Sequence, residues 1–281
     1  MTAKLLDGKK AAQVVKDHVK TQIQEHNLKP TLEVILVGDN PASQAYVKGK
    51  HKDCQEVGIE SIITKLPETV TTVEVIQKIQ ESKADGIIVQ LPLPKHIDQN
   101  VVIDSIPYTK DVDCFRNINL GNLFTDTGIF SPCTPLGIME LLWEYKLDVV
   151  GKHCVIIGRS NIVGKPLALM LINVGATVTV CNSHTQNLKE LTKQADILVS
   201  AVGKPKFVTA DMVKDGAVVV DVGINRTEDG KLCGDVDFDK VSEVASWITP
   251  VPGGVGLMTR AMLLQNTVWA CENNRRFKDE H

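Results

Sequence analysis

No apolar run in the sequence approaches the roughly 18 residues of a membrane span. Stretches such as Leu167–Ile172 and Ala217–Val220 are no longer than a strand or a helical turn or two. The N-terminus, Met1-Thr2-Ala3-Lys4-Leu5-Leu6-Asp7, lacks the long hydrophobic core of a secretory signal. There is no run of five like charges and the net charge is only −3, so neither a nucleic-acid groove nor a membrane patch is visible. The seven cysteines include no Cys-x-x-Cys pair, and the seven histidines no His-x-x-x-His pair. Disulfide scaffolding and a metal site are therefore not expected, and reduced thiols in the cytoplasm are. What is present is ordinary for a globular chain: 43% hydrophobic and 23% charged residues over 281 positions, enough for about two domains.

The strand candidates are short, β-branched and continuous: Glu33–Val37, Gly86–Gln90, Cys154–Ile157, Thr177–Cys181, Asp196–Ala201 and Ala217–Val222. Burial on both faces is the mark of parallel sheets. Helical periodicity falls between them, over Lys10–Gln24, Leu136–Trp143 and Pro166–Leu171. Alternating strands and helices predict an α/β fold built from βαβ units. Periodicity lapses over Asn117–Pro135 and again at Thr249–Gly256. The expectation is two α/β domains facing across a cleft. Residues 1–134 form the first, joined by a C-terminal helix over 259–281, and residues 135–258 form a Rossmann-like nucleotide-binding domain.

Val155-Ile156-Ile157 runs into Gly158-Arg159-Ser160, and Gly164 follows six residues after Gly158. The first glycine allows a tight turn and the second a close helix start. Backbone N–H groups and the helix dipole are then expected to face a phosphate. Ser160 stands where the usual pattern has its second glycine, so a plain strand–helix turn stays open on this loop alone. The next strand ends in Asn182-Ser183-His184-Thr185, without the carboxylate that binds the ribose hydroxyls of NAD. Arg159 and Ser183 suit a 2′-phosphate instead, and so NADP. Ile224, after another buried strand, is placed to pack on the nicotinamide or ribose, or to cover the sheet edge.

Asn40-Pro41 reads as an N-cap and first-turn proline. Ser43, Tyr46 and Lys50 then share one helical face. A lysine beside a phenol in a partly buried site suits acid–base work. Short-chain dehydrogenases use a Tyr-x-x-x-Lys pair too, but after their glycine loop, and here the pair precedes it by more than a hundred residues. Gln90 closes a buried strand and is placed to hold another side chain. Asp111 and Asp113 put two carboxylates two apart in a loop.

Taken in order, Ser43–Val47 with Lys50, Gly86–Pro94, Lys110–Asp113, Pro132–Pro135, Gly158–Pro166 and Pro250–Gly256 with Met258-Thr259 cover nearly the whole chain. The chain resembles the bifunctional methylenetetrahydrofolate dehydrogenase/methenyltetrahydrofolate cyclohydrolase family. The resemblance implies NADP-dependent oxidation of a methylene folate to the methenyl form, and then hydrolysis to the 10-formyl product. It implies that Lys50 activates water, that Gln90 holds Lys50, that Tyr46 borders the folate and that Asp113 pairs with the pterin. Pro252, Gly253 and Gly254 would close over the folate. The family pattern further implies tetrahydrofolate derivatives as substrates, no metal, and a homodimer formed through the cofactor domain. Alternatives are a dehydrogenase without cyclohydrolase activity and a non-enzymatic NADP sensor. Two positions depart from the pattern: Cys114 and Leu257 stand where glycine and proline are usual.

Overall fold

A computed structural model describes residues 2–227 and 229–279. In chain order the first elements are strand β1 (Lys4–Leu5), helix α1 (Gly8–Glu25), β2 (Thr31–Val37), α2 (Pro41–Val57), β3 (Glu60–Leu66), α3 (Thr72–Glu81), β4 (Gly86–Val89), α4 (Gln99–Ser105) and α5 (Asn117–Phe124). There follow α6 (Cys133–Glu144), β5 (His153–Ile157), α7 (Gly164–Asn173), β6 (Thr177–Cys181), α8 (Leu188–Thr192), β7 (Ile197–Ser200) and β8 (Val218–Asp221). The short strands β9 (Asn225–Arg226) and β10 (Leu232–Cys233), helix α9 (Phe238–Val241), β11 (Trp247–Ile248) and the long α10 (Val255–Asp279) complete the described fold. The chain divides into two compact units: the N-terminal residues through Gln13 with Thr134–Thr259, and Val14–Cys133 with the residues from Arg260 on.

In the Val14–Cys133 unit, β2 lies between β3 and β4 and pairs parallel with both. The chain reaches each neighbour through a helix, as parallel strands require. Ile35, Val37, Val75, Ile79, Ile87 and Val102 fill one of its buried clusters. The other unit holds a six-stranded parallel sheet in the order β1-β11-β8-β7-β5-β6. After β6 the order reverses across β5 to β7, which is a topological switch point. Ligands of open α/β sheets bind at the carboxyl ends of the strands there.

The structure differs from the sequence reading in several places. Residues Lys4–Leu5 were expected in the first domain, but pair with Trp247–Ile248 at the edge of the six-stranded sheet. The aperiodic stretch after Arg116 contains the helix α5. It is eight residues long and has no side-chain cap, so neither start signal nor periodicity announces it. Helix α10 begins at Val255, four residues earlier than its apolar pattern suggests.

Candidate active site

In the Val14–Cys133 unit, α2 starts where a side chain satisfies its first N–H groups. Asn40 Oδ1 accepts from Ala42 (2.9 Å) and Ser43 (3.1 Å), with Pro41 in the first turn. Tyr46 is 48% exposed on this helix, and Lys50, one turn on, is half-buried. Lys50 Nζ donates to Gln90 Oε1 at 3.2 Å. Gln90 follows β4, and its Nε2 donates to Leu91 O at 2.8 Å, which turns the amide oxygen toward the lysine. The two residues that sequence spacing could only suggest as partners are therefore in contact.

The two loop carboxylates have different jobs. Asp111 is buried and accepts from the Phe115 and Arg116 N–H groups and from Asn119 Nδ2 (3.2, 2.9 and 2.9 Å). Burial nevertheless pushes its carboxyl upward from the usual range, against those bonds. Asp111 thus holds the turn, and Asp113 is left half-buried with its carboxylate near Cys133.

Cys133 lies in the Pro132–Pro135 motif, and the sequence alone gives it no role. Its Sγ donates to Val112 O at 3.3 Å and to Asp113 Oδ1 at 3.6 Å. Full burial raises the thiol well above its ordinary pKa; the Asp113 charge adds to this and the Lys50 charge opposes it. Lys50, Asp113 and Cys133 therefore share one neighbourhood, with Cys133 neutral. Asn266, from α10, supports the same loops by donating to Val112 O (2.7 Å) and Ser131 O (3.0 Å).

Cys114 lies at φ +58°, in the left-handed region that favours glycine. Its thiol points into the core toward Phe130 O at 3.4 Å. Leu257 sits in the first turn of α10, where its N–H reaches Gly254 O at 3.2 Å. Leucine keeps this N–H donor, which the proline of the usual pattern lacks.

The six-stranded unit carries the remaining candidates. Gly158 follows β5 at φ +124°, and a side chain there would strike the backbone of Ala201, at the end of β7. A side chain at Gly164 would strike Gly158 itself. These two glycines let the loop close at the switch point, which leaves backbone open to a close ligand. The expected outward N–H groups are corrected in part. Ser160 Oγ accepts from Val163 (3.1 Å) and Gly164 (3.4 Å), and Lys165 donates to Ser160 O (3.1 Å). The first N–H groups of α7 thus turn in on Ser160. Arg159 and Ser183 are exposed at the ends of β5 and β6. The residues after β6, Asn182-Ser183-His184-Thr185, include no carboxylate, and Asn182 Oδ1 accepts from the His184 N–H (3.0 Å). That set fits a phosphate-bearing dinucleotide. Ile224 is 53% exposed after β8. Pro252 and Gly253, with Gly253 at φ +111°, precede α10, and Gly254 packs so tightly against residue 8 that only glycine fits there. Among the described residues, no group of three or more His, Cys, Asp and Glu is arranged to hold a metal.

Comparison with known proteins agrees with this geometry. Residues 6–113 match the tetrahydrofolate dehydrogenase/cyclohydrolase catalytic domain, and residues 132–275 match the NAD(P)-binding domain of the same family. The bifunctional protein FolD of Campylobacter concisus is 55% identical over 276 residues, covering 96% of this chain and 98% of the relative. The crystal structure of the bifunctional FolD methylenetetrahydrofolate dehydrogenase/cyclohydrolase from Campylobacter jejuni superposes with a TM-score of 0.93 at 50% identity, over 97% and 99% of the two chains. The Trypanosoma brucei dehydrogenase-cyclohydrolase, solved with NADP and an inhibitor, gives 0.91 at 34% identity, over 98% and 99%.

Proposed function

The chain belongs to the tetrahydrofolate dehydrogenase/cyclohydrolase family, and from that premise we propose the roles of its individual residues. It is a bifunctional enzyme that oxidises 5,10-methylenetetrahydrofolate with NADP and hydrolyses the methenyl product to 10-formyltetrahydrofolate. The observation that carries the residue assignment is the Lys50–Gln90 contact, with Asp113 and Cys133 beside it.

Asp113 pairs with the donor edge of the pterin, as a carboxylate matches two N–H donors. The Cys133 thiol, held neutral by burial, restrains Asp113 Oδ1 without competing for charge. Tyr46 offers an exposed ring for the folate to border. Arg159 and Ser183 bind the 2′-phosphate of the cofactor, Ser160 and the Gly158 backbone approach its pyrophosphate, and Ile224 packs on its nicotinamide or ribose. NADP, when bound, accepts the hydride. Hydride transfer requires no base from the protein, only alignment of the two ligands. Hydrolysis does: water attacking the methenyl carbon must lose a proton, and Lys50 removes it. Gln90 fixes the position of the lysine by accepting one of its N–H groups. Pro252, Gly253 and Gly254 close over the folate.

All seven cysteines are free, which suits a cytoplasmic enzyme. No helix in the described residues is long and apolar enough to cross a membrane. We assign tetrahydrofolate derivatives as the small-molecule partners, with neither nucleic acid nor membrane, and a homodimer formed through the cofactor unit.

The test follows the absorbance of the methenyl product with NADP and with NAD, and then its decay in the absence of cofactor. Both activities are expected, with NADP preferred. Arg159→Ala raises KM for NADP by roughly ten- to a hundredfold, the worth of a lost charge-assisted hydrogen bond, and leaves NAD use nearly unchanged. Equal loss with both cofactors contradicts the 2′-phosphate assignment. Formation of the methenyl product without its decay would leave a dehydrogenase alone.

A further inference from the structure

Two buried carboxylates in the six-stranded unit have no part in the roles above. Asp235 is fully buried. Its Oδ2 accepts from the N–H groups of Val202 (2.7 Å) and Gly203 (3.1 Å) and from Ser200 Oγ (3.3 Å). Its Oδ1 accepts from the Lys204 N–H (2.9 Å) and from Asn225 Nδ2 (2.9 Å). One carboxylate thus gathers the whole turn after β7 and reaches into the loop after β8. Asp221, at the end of β8, in turn holds the backbone of Asp235. It accepts from the N–H groups of Gly223, Asp235 and Val236, each at 2.9 Å. The fit is close enough that a side chain at Gly223 would strike the Asp235 carboxylate, and one at Gly234 would strike that of Asp221.

An unpaired buried anion is costly unless hydrogen bonds replace its water. Among the described residues no lysine or arginine side chain pairs with Asp221 or Asp235. Lys204 gives Asp235 its backbone N–H, but holds its ammonium 5.8 Å from the Phe207 ring centroid. Eight donors satisfy the two carboxylates instead, and most of them are backbone groups of loops at the carboxyl edge of the sheet. The glycine loop after β5 takes the pyrophosphate, and Arg159 and Ser183 draw the adenosine half toward β6. The nicotinamide half then extends the other way from the switch point, over the ends of β7 and β8. Those are the loops that Asp235 gathers, and Ile224 is exposed on one of them.

We propose that Asp235 is a positioning residue for the nicotinamide half of the cofactor, shaping the Val202–Lys204 turn and the Ile224–Asn225 loop from within the sheet without touching the ligand. This rests on the dinucleotide site proposed above. An asparagine at 235 turns an N–H₂ group toward donors that need an acceptor, so the turn opens.

The experiment measures NADPH affinity by its fluorescence and the affinity of 2′,5′-ADP, which lacks the nicotinamide, by calorimetry. Both are read on wild type, Asp235→Asn and Ser200→Ala, alongside cofactor-free hydrolysis of supplied methenyltetrahydrofolate. Asp235→Asn weakens NADPH by tenfold or more while 2′,5′-ADP affinity and hydrolysis stay within twofold. Ser200→Ala, which removes one donor to Asp235 from a fully buried position, weakens NADPH two- to fivefold and spares the other two. If Asp235→Asn does not fold, Ser200→Ala decides the matter. Unchanged NADPH affinity in the folded variants overturns the proposal, as does equal weakening of NADPH and 2′,5′-ADP. A wild-type chain that binds no NADPH overturns the dinucleotide site itself, and this inference with it.

Discussion

Cys114 shows how a single residue can keep a shape that its side chain disfavours. A left-handed conformation costs an L-residue roughly 1–2 kcal/mol, which glycine avoids. Here the cost is offset by burying a thiol that is wholly inside and bonded toward Phe130 O. Burial also raises that thiol far above its ordinary pKa, with the Asp111 and Asp113 charges adding to it, so it is a packing group and not a nucleophile. Cys114→Gly relieves the strain and loses the packing, so thermal melts should place it within about 1 kcal/mol of wild type. Cys114→Val adds volume at a buried site and puts a β-branched residue at positive φ, and is expected to destabilise by about 2 kcal/mol or more. A valine variant as stable as the glycine variant would refute the strain account.

Among the elements, α2 carries Lys50 and α10 braces it. Asp53 is buried on α2, one turn beyond Lys50. It binds Lys16 of α1 at 2.7 Å and Arg260 of α10 at 2.5 Å. Arg260 also donates to Gly49 O at 3.2 Å, beside Lys50 in the chain. Breaking one member of such a network leaves the others desolvated. Asp53→Asn should lower the unfolding free energy by about 2–3 kcal/mol in urea, and lower cyclohydrolase activity more than NADPH affinity. A variant with wild-type stability would show that the network is only a surface decoration. The start of α2 was legible because an Asn-Pro cap is a local signal, and the continuous β-branched runs marked β2, β4, β5, β6, β7 and β8 for the same reason. The Asp53–Arg260 pair was not, since its partners lie 207 residues apart and no local pattern joins them. β1 escaped likewise: two residues become a strand only through β11. β3, with mixed burial and several polar residues, alternates too weakly to be read. Lys50, Gln90 and Asp113 were singled out from their elements and motifs, whereas Cys133 acquired a role only once its neighbours were known.

For the whole molecule, stability should carry the mark of Asp221. Burial, reinforced by the charge of Asp235, raises its carboxyl from 3.8 to about 6 even though three N–H groups favour the anion. The folded chain therefore keeps a proton that the unfolded chain has released. The stabilisation is present below about pH 4 and is lost as pH rises through about 6, with a size of order 3 kcal/mol. Asp211, bound to Lys189 and Thr209, is lowered to about 2 and acts in the opposite sense at lower pH, so the raw profile mixes both. The difference between wild type and Asp221→Asn isolates the term. In urea titrations from pH 4 to 7, wild type should lose stability relative to the variant by up to about 3 kcal/mol. A flat difference would contradict the assignment.

The central claim is that one chain performs both reactions and that Lys50 serves the second as its base. The direct measurement is both rates on the same purified Lys50→Met protein, with folding checked by thermal melt. Methionine keeps much of the length and apolar stem but has no proton-accepting nitrogen. Cyclohydrolase activity is expected to fall a hundredfold or more, the usual contribution of a general base. Dehydrogenase activity falls by a smaller factor, reflecting only the lysine's part in seating the folate. A folded Lys50→Met enzyme whose cyclohydrolase rate stays within a few fold of wild type would contradict the account.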